Sequence, residues 1–229
     1  MVFEYALEVL RDLVSLGGPV VALLIAMSVL SFTVVFWKFA VFAVLGLGRH
    51  RTLTLAIDAH DRGEVEFALE LAAGSRSHLK AVFQKTLERS AVERSETFRT
   101  RVIAETATRL DTAARGLRVL DSISQVAPLL GLFGTVLGMI NAFQGLQGAG
   151  SNVDPSVLAG GIWVALLTTA MGLGVAMPTS LLLTWLETRI ENERAFADQM
   201  IARLFSPYRK RNVETFKRSI TMRSHVPAQ

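Results

Sequence analysis

Three stretches of this chain carry no Asp, Glu, Lys, Arg or His: Pro19 to Trp37, Ser122 to Val153 and Pro155 to Leu186. Each exceeds the roughly 18 uncharged, mostly apolar residues that mark a membrane-crossing helix, a form that satisfies its own backbone in lipid. The pattern predicts three spans. The second and third uncharged runs are 32 residues each. Such a helix reaches about 48 Å against a hydrocarbon core of about 30 Å, so part of each run leaves the lipid. Gly145, Gly148 and Gly150 with Ser151, Asn152 and Pro155 mark a turn. Spans two and three are therefore expected to form an antiparallel hairpin that closes near Leu146 and Ser156.

Outside the spans the pattern turns amphipathic. Ile103, Ala107, Leu110, Ala114 and Leu117 recur at helical spacing among charged residues and Thr, with no Pro or Gly cluster before Val126. One helix is expected from near Thr97 to about Phe143, interrupted only mildly by Gly116 and Pro128. Leu186, Ile190, Ala197, Ile201 and Leu204 continue the third span's helix until Pro207. Residues 52 to 95 read as short helices broken at Gly63 and Gly74, enough for a small helical domain, with Asp58-Ala59-His60-Asp61 in a solvated loop. At the start, Phe3, Leu7 and Leu10 fall on one side, opposed by Glu4, Glu8 and Asp12. This predicts a short amphipathic helix along the membrane surface, against the alternative of a frayed end.

The class is all-α, a three-span helical membrane protein whose second and third helices project into the cytoplasm. The expected organisation is an outward N-terminal helix over 1–18, span one over 19–45 and a cytoplasmic helical domain over 46–120. Span two follows over 121–147, an outward loop over 148–156, span three over 157–186, and a cytoplasmic helix and basic tail over 187–229.

Composition agrees: 229 residues are 51% hydrophobic with a mean hydropathy of +0.39. That excludes a soluble enzyme, and the long runs exclude a β-barrel of short alternating strands. With no Cys there is no disulfide framework. The first apolar run follows Arg11 and Asp12, lacks an A-x-A cleavage pattern and ends in Trp37 and Lys38. It reads as a retained span with an interfacial anchor.

The net charge of +4 raises nucleic-acid binding, and the placement of the 24 Lys and Arg argues against it. Fourteen lie between Lys38 and Arg118, nine from Arg189 onward, and Arg11 stands apart. The link between spans two and three has Asp154 as its only charge. The positive-inside rule then puts residues 39–120 and the C-terminus in the cytoplasm and the N-terminus outside. No aromatic-interleaved basic patch accompanies the charge. The charged faces with Arg99, Arg101, Glu105, Arg109 and Asp111 are most simply solvated, or contacts to neighbouring copies or lipid headgroups.

The most specific stretch is Ala127-Pro128-Leu129-Leu130-Gly131-Leu132-Phe133-Gly134-Thr135-Val136-Leu137-Gly138-Met139. Gly131, Gly134 and Gly138 share one stripe, where another backbone can approach closely. In span three Gly161, Ala165, Thr169, Gly172 and Ala176 make a similar face, with Thr168 beside it and Pro178 marking a bend. For Thr135, Thr168 and Thr169 two readings stand: each hydroxyl bonds its own helix, or Thr135 and Thr169 face one another across a polar seam.

These residues, with Gly161-Ile162-Trp163-Val164-Ala165-Leu166-Leu167-Thr168-Thr169-Ala170-Met171-Gly172-Leu173-Gly174-Val175-Ala176-Met177-Pro178, resemble the MotA/TolQ/ExbB proton-channel family, its ExbB and TolQ branch most nearly. The resemblance implies an inner-membrane ring of five such chains around two copies of a single-span partner like ExbD or TolR, whose membrane Asp takes and releases protons. It implies that Thr135 and Thr169 line the surface facing that Asp, and Thr168 with them, at a position where some relatives have Ala. It further implies that the work passes through a TonB-like protein to outer-membrane nutrient import, or, on the TolQ side, through a TolA-like protein. The flagellar type would want a fourth span. One departure is Val164, where several relatives have Glu.

The residues themselves agree that any acid must come from elsewhere, since spans two and three contain no titratable group. A non-conducting structural scaffold is the alternative of another class, and a carrier with inverted repeats fits three spans poorly. No phosphate loop or nucleophile motif is present, and His50, His60, His78 and His225 show no metal-ligand spacing. The expectation is no enzyme, no cofactor and no metal site.

Overall fold

The computed structural model describes residues 2–90, 95–148 and 155–205. Among these it has seven helices and no strand: α1 (Val2–Leu45), α2 (Arg51–Arg62), α3 (Val65–Ala73), α4 (Lys80–Ser90), α5 (Glu96–Ala114), α6 (Leu117–Gly148) and α7 (Pro155–Phe205). Three are long and apolar enough to cross a membrane: Gly17–Leu45 of α1, α6 and α7. At 51 residues α7 is about 77 Å long. The turn residues 149–154 and the tail from 206 onward lie outside the described residues.

Helix α1 is two helices joined at Gly18, whose φ of 65° and ψ of −155° leave the helical region. Pro19 then opens the second helix, where its missing N–H costs nothing. The N-terminal piece is helical, but the side chains of Phe3, Leu7 and Leu10, on which its amphipathic reading rests, lie outside the described residues.

The chain divides into two compact units, residues 1–40 with 115–187, and 41–114 with 188–229. The first holds the apolar segments. Val20, Leu24, Ala127 and Ala176 form a buried cluster joined by Met27, Leu130 and Leu137. The Ser31 and Thr179 hydroxyls share a hydrogen bond of 2.8 Å, and Phe39 stacks on Trp185 with ring centroids 5.1 Å apart. Here one expectation is corrected. Trp37 is exposed, but Lys38 does not reach outward as an anchor: it is 1% exposed, with Nζ 4.9 Å from the Trp37 ring centroid.

The second unit packs Leu53, Ala56 and Ile57 of α2, Ala68 and Ala72 of α3 and Val82, Phe83 and Leu87 of α4 into one core. Phe98, Val102 and Leu110 of α5 and Ala197, Met200, Ile201 and Leu204 of α7 complete it. Helix α2 ends in Gly63 at φ 89°, the left-handed cap that glycine adopts without a β-carbon penalty. Arg203 donates to Asp58 at 2.7 Å and also bonds Asp61.

Three sequence expectations for this region are corrected. The helix from Thr97 to Phe143 is two helices, because Gly116 takes φ 89° and ends α5. The buried stripe of α5 runs through Phe98, Val102, Thr106, Leu110 and Ala113, while Ile103 is 41% exposed. Asp58-Ala59-His60-Asp61 is the end of α2, with Ala59 and His60 buried, because Arg203 receives the two carboxylates.

Candidate functional site

Helices α6 and α7 meet where side chains are missing. A β-carbon on Gly131 would lie 2.9 Å from the Thr168 carbonyl oxygen and 3.2 Å from Gly172 Cα. One on Gly172 would lie 2.6 Å from the Ala127 carbonyl oxygen, and one on Gly138 2.9 Å from Ala165 Cβ. Gly134 faces the Thr168 side chain, and Gly161 faces Ala142. The two backbones are thus close enough for a side chain of one helix to reach a carbonyl of the other.

That is what Thr168 and Thr169 do. The Thr169 hydroxyl donates across the seam to the Gly131 carbonyl at 3.2 Å. The Thr168 hydroxyl donates to Ala165 in its own helix at 2.7 Å, with the same Gly131 carbonyl at 3.3 Å as a second acceptor. Thr168 is buried and Thr169 half-buried. Thr135 lies elsewhere: its hydroxyl bonds the Leu132 carbonyl at 2.7 Å within α6. It borders an open groove of about 490 Å³ along α6, shared with Val136, Met139, Ile140, Phe143 and Gln144. In the single chain, then, Thr168 and Thr169 converge on Gly131, and Thr135 turns to a different face. Val164 is half-buried on α7. Pro128 and Pro178 sit inside helices that continue through them.

Chemically the seam offers hydroxyl and carbonyl oxygens with no group that takes up a proton near neutral pH. Such oxygens can orient water or bond a carboxyl group brought from outside. Among the described residues no group of three or more His, Cys, Asp or Glu side chains is arranged to hold a metal ion.

Outside the spans, Lys85 bonds Glu105 at 3.1 Å and holds that carboxyl below its ordinary range, with Arg109 adding to the effect. Glu193, 1% exposed on α7 between Ile190 and Ala197, and the two histidines that join it, His50 and His78, form a cluster that no sequence motif marks. The available signal was an acid at the core position of the Leu186–Leu204 stripe, one turn after Ile190.

Residues 74–199, more than half of the chain, match the model of the MotA/TolQ/ExbB proton channel family. Over 63 residues the chain is 51% identical to the biopolymer transport protein exbB1 of Vibrio cholerae, covering 28% of each. It is 32% identical over 163 residues to a putative biopolymer transport protein, ExbB-like 1, of Synechocystis, covering 70% of this chain and 64% of that one. It is also 39% identical over 71 residues to the Tol-Pal system protein TolQ of Haemophilus influenzae, covering 31% of each. The matches thus span less than two thirds of the length of these relatives.

Proposed function

Because the chain belongs to the MotA/TolQ/ExbB proton channel family, we propose that it is the multi-span subunit of a proton-driven motor in the bacterial inner membrane. Five copies form a ring around a single-span partner of the ExbD or TolR kind. The partner brings a membrane Asp, and the ring supplies the hydroxyls that position water and the carboxyl group as the proton passes: Thr168 and Thr169 on one face of each chain and Thr135 on another, which meet only between neighbouring copies. The observation that carries this reading is the pairing of Thr168 and Thr169 on the Gly131 carbonyl in spans devoid of titratable groups. The concentration of basic residues in 38–118 and from 189 onward supports a cytoplasmic second unit and an outward N-terminus. Work leaves through a TonB-like protein toward outer-membrane nutrient uptake. The likeness to biopolymer transport proteins of the ExbB kind favours this side, and the match to TolQ keeps the Tol-Pal role as the alternative.

A non-conducting scaffold is the second reading, favoured by Val164 and by the same lack of an acid. Thr169→Val separates the two. In vesicles holding the chain with its partner, the channel reading expects partner-dependent proton uptake to fall at least about tenfold, which is roughly 1.4 kcal/mol on the rate-limiting barrier. The ring should remain intact by native mass spectrometry. Unchanged uptake with an intact ring contradicts the role given to Thr169.

A further inference from the structure

Glu193 places a carboxylate in the interior of the second unit, and three groups converge on it. The Gly48 amide donates to Oε1. His50 Nε2 lies 3.1 Å from the same oxygen, and its ring stacks on Phe196 with centroids 4.0 Å apart. His78 Nδ1 lies 3.8 Å from Oε2, outside hydrogen-bond reach. Arg189, one turn before Glu193 on α7, donates to the Leu47 carbonyl at 3.3 Å. Arg109 of α5 donates to the His78 carbonyl at 3.4 Å, and the His78 amide donates to the Leu45 carbonyl at 3.1 Å. The turn from Leu45 to His50, which joins α1 to α2, is thus tied down by Glu193, Arg189 and His78.

The polar groups of this cluster are incompletely matched. Glu193 Oε2, His50 Nδ1 and both ring nitrogens of His78 are buried without a hydrogen-bond partner. Leaving buried donors or acceptors unpaired is costly, so such sites tend to be occupied by something or to carry a function. The spare capacity here is of one kind: imidazole nitrogens beside a carboxylate oxygen, which is capacity for a proton. Accepting one is not neutral. An imidazolium at His78 gains Glu193 as a counter-ion, but it sits in a buried place with Arg109 and His50 nearby. To close the 3.8 Å gap to Oε2 the carboxylate must shift, and the same carboxylate holds the Gly48 amide and His50 through Oε1.

We propose that His50, His78 and Glu193 form a proton-binding site, and that proton uptake there releases the Leu45–His50 turn from Glu193 and Arg189. The proton comes from solvent and adds to a ring nitrogen of His78, with no other bond made or broken. Burial holds the His78 imidazole below its ordinary value of 6.5; Glu193 opposes this in part, and His50 and Arg109 reinforce it. The folded form therefore binds the proton less readily than the released form. The tie is intact above about pH 6.5 and weakens as the pH falls below it. The inference concerns the second unit alone and does not need the channel reading.

Hydrogen exchange of the full chain in nanodiscs, corrected for the intrinsic pH dependence of exchange, tests this at pH 7.5 and 5.5. The amides of Leu47 to Arg49 and of His78 should lose about tenfold in protection at the lower pH. Amides in α3 should stay protected. In His78→Gln the protection of the turn should be the same at both values. His50→Gln should keep a pH response through His78, and it serves if His78→Gln does not fold. Protection of the turn in the unmodified chain that does not change with pH overturns the proposal. So does a drop that persists in the His50→Gln, His78→Gln double variant. One equivalent of zinc in the purified protein also overturns it, because metal-held imidazoles would not titrate in this way.

Discussion

At Gly172 an added β-carbon would lie 2.6 Å from the Ala127 carbonyl oxygen and 3.0 Å from Gly131 Cα. Both neighbours are backbone, so neither can swing aside. Gly172→Ala should cost about 1–3 kcal/mol, as overpacking does in tight cores. Gly174→Ala, two residues on with nothing within 4 Å, should stay within about 0.5 kcal/mol. Chemical unfolding of the two variants in the same detergent compares them. Thr169→Val removes one hydrogen bond of 3.2 Å and should change stability by less than about 1 kcal/mol, so a loss of proton uptake in that variant could not be blamed on unfolding. The small-residue stripe of α6 was legible from spacing alone, because Gly at three- and four-residue intervals has few other uses in lipid. That Thr168 and Thr169 would share the Gly131 carbonyl was not legible, since it depends on how α6 and α7 are registered. Nor was Glu193 with His50 and His78, which lie far apart in the chain and meet only when α7 enters the core of the second unit.

At the scale of elements, the sequence pattern identified three spans from charge-free length, a quantity that few soluble elements imitate. It erred where two stripes compete on one helix. In α5, Ile103 and Ala107 offer one apolar line, and Phe98, Val102 and Leu110 offer another that includes Thr106. The second line is buried because the Thr106 hydroxyl is satisfied within the helix, bonding the Val102 carbonyl at 2.8 Å, so burying it leaves no orphan. From sequence Gly116 is only a mild interruption, because a helix interior tolerates glycine at modest cost. Its φ of 89° shows instead a stop between α5 and α6. Gly116→Ala forces a β-carbon into the left-handed region and to 3.4 Å from the Trp37 ring. It should destabilise the protein by about 1–2 kcal/mol, read as a lower unfolding midpoint. Equal midpoints for Gly116→Ala and the unmodified chain would contradict that conformation.

For the whole molecule, the division of labour lies in where charge is permitted. The charge-free runs of α6 and α7 supply close-packed backbone and hydroxyl oxygens, and the titratable residues, His50, His78 and Glu193 among them, are gathered outside those runs. A chain so built has no proton carrier of its own at the middle of its second and third spans, and under the proposed function a partner supplies one. The direct measurement is proton uptake by vesicles containing this chain alone, beside vesicles containing it with a single-span partner that bears a membrane Asp. The expected result is uptake at the background rate for the chain alone and a clear rise with the partner, abolished when the partner's Asp is changed to Asn. Uptake by the chain alone, at a rate the partner does not alter, would contradict it.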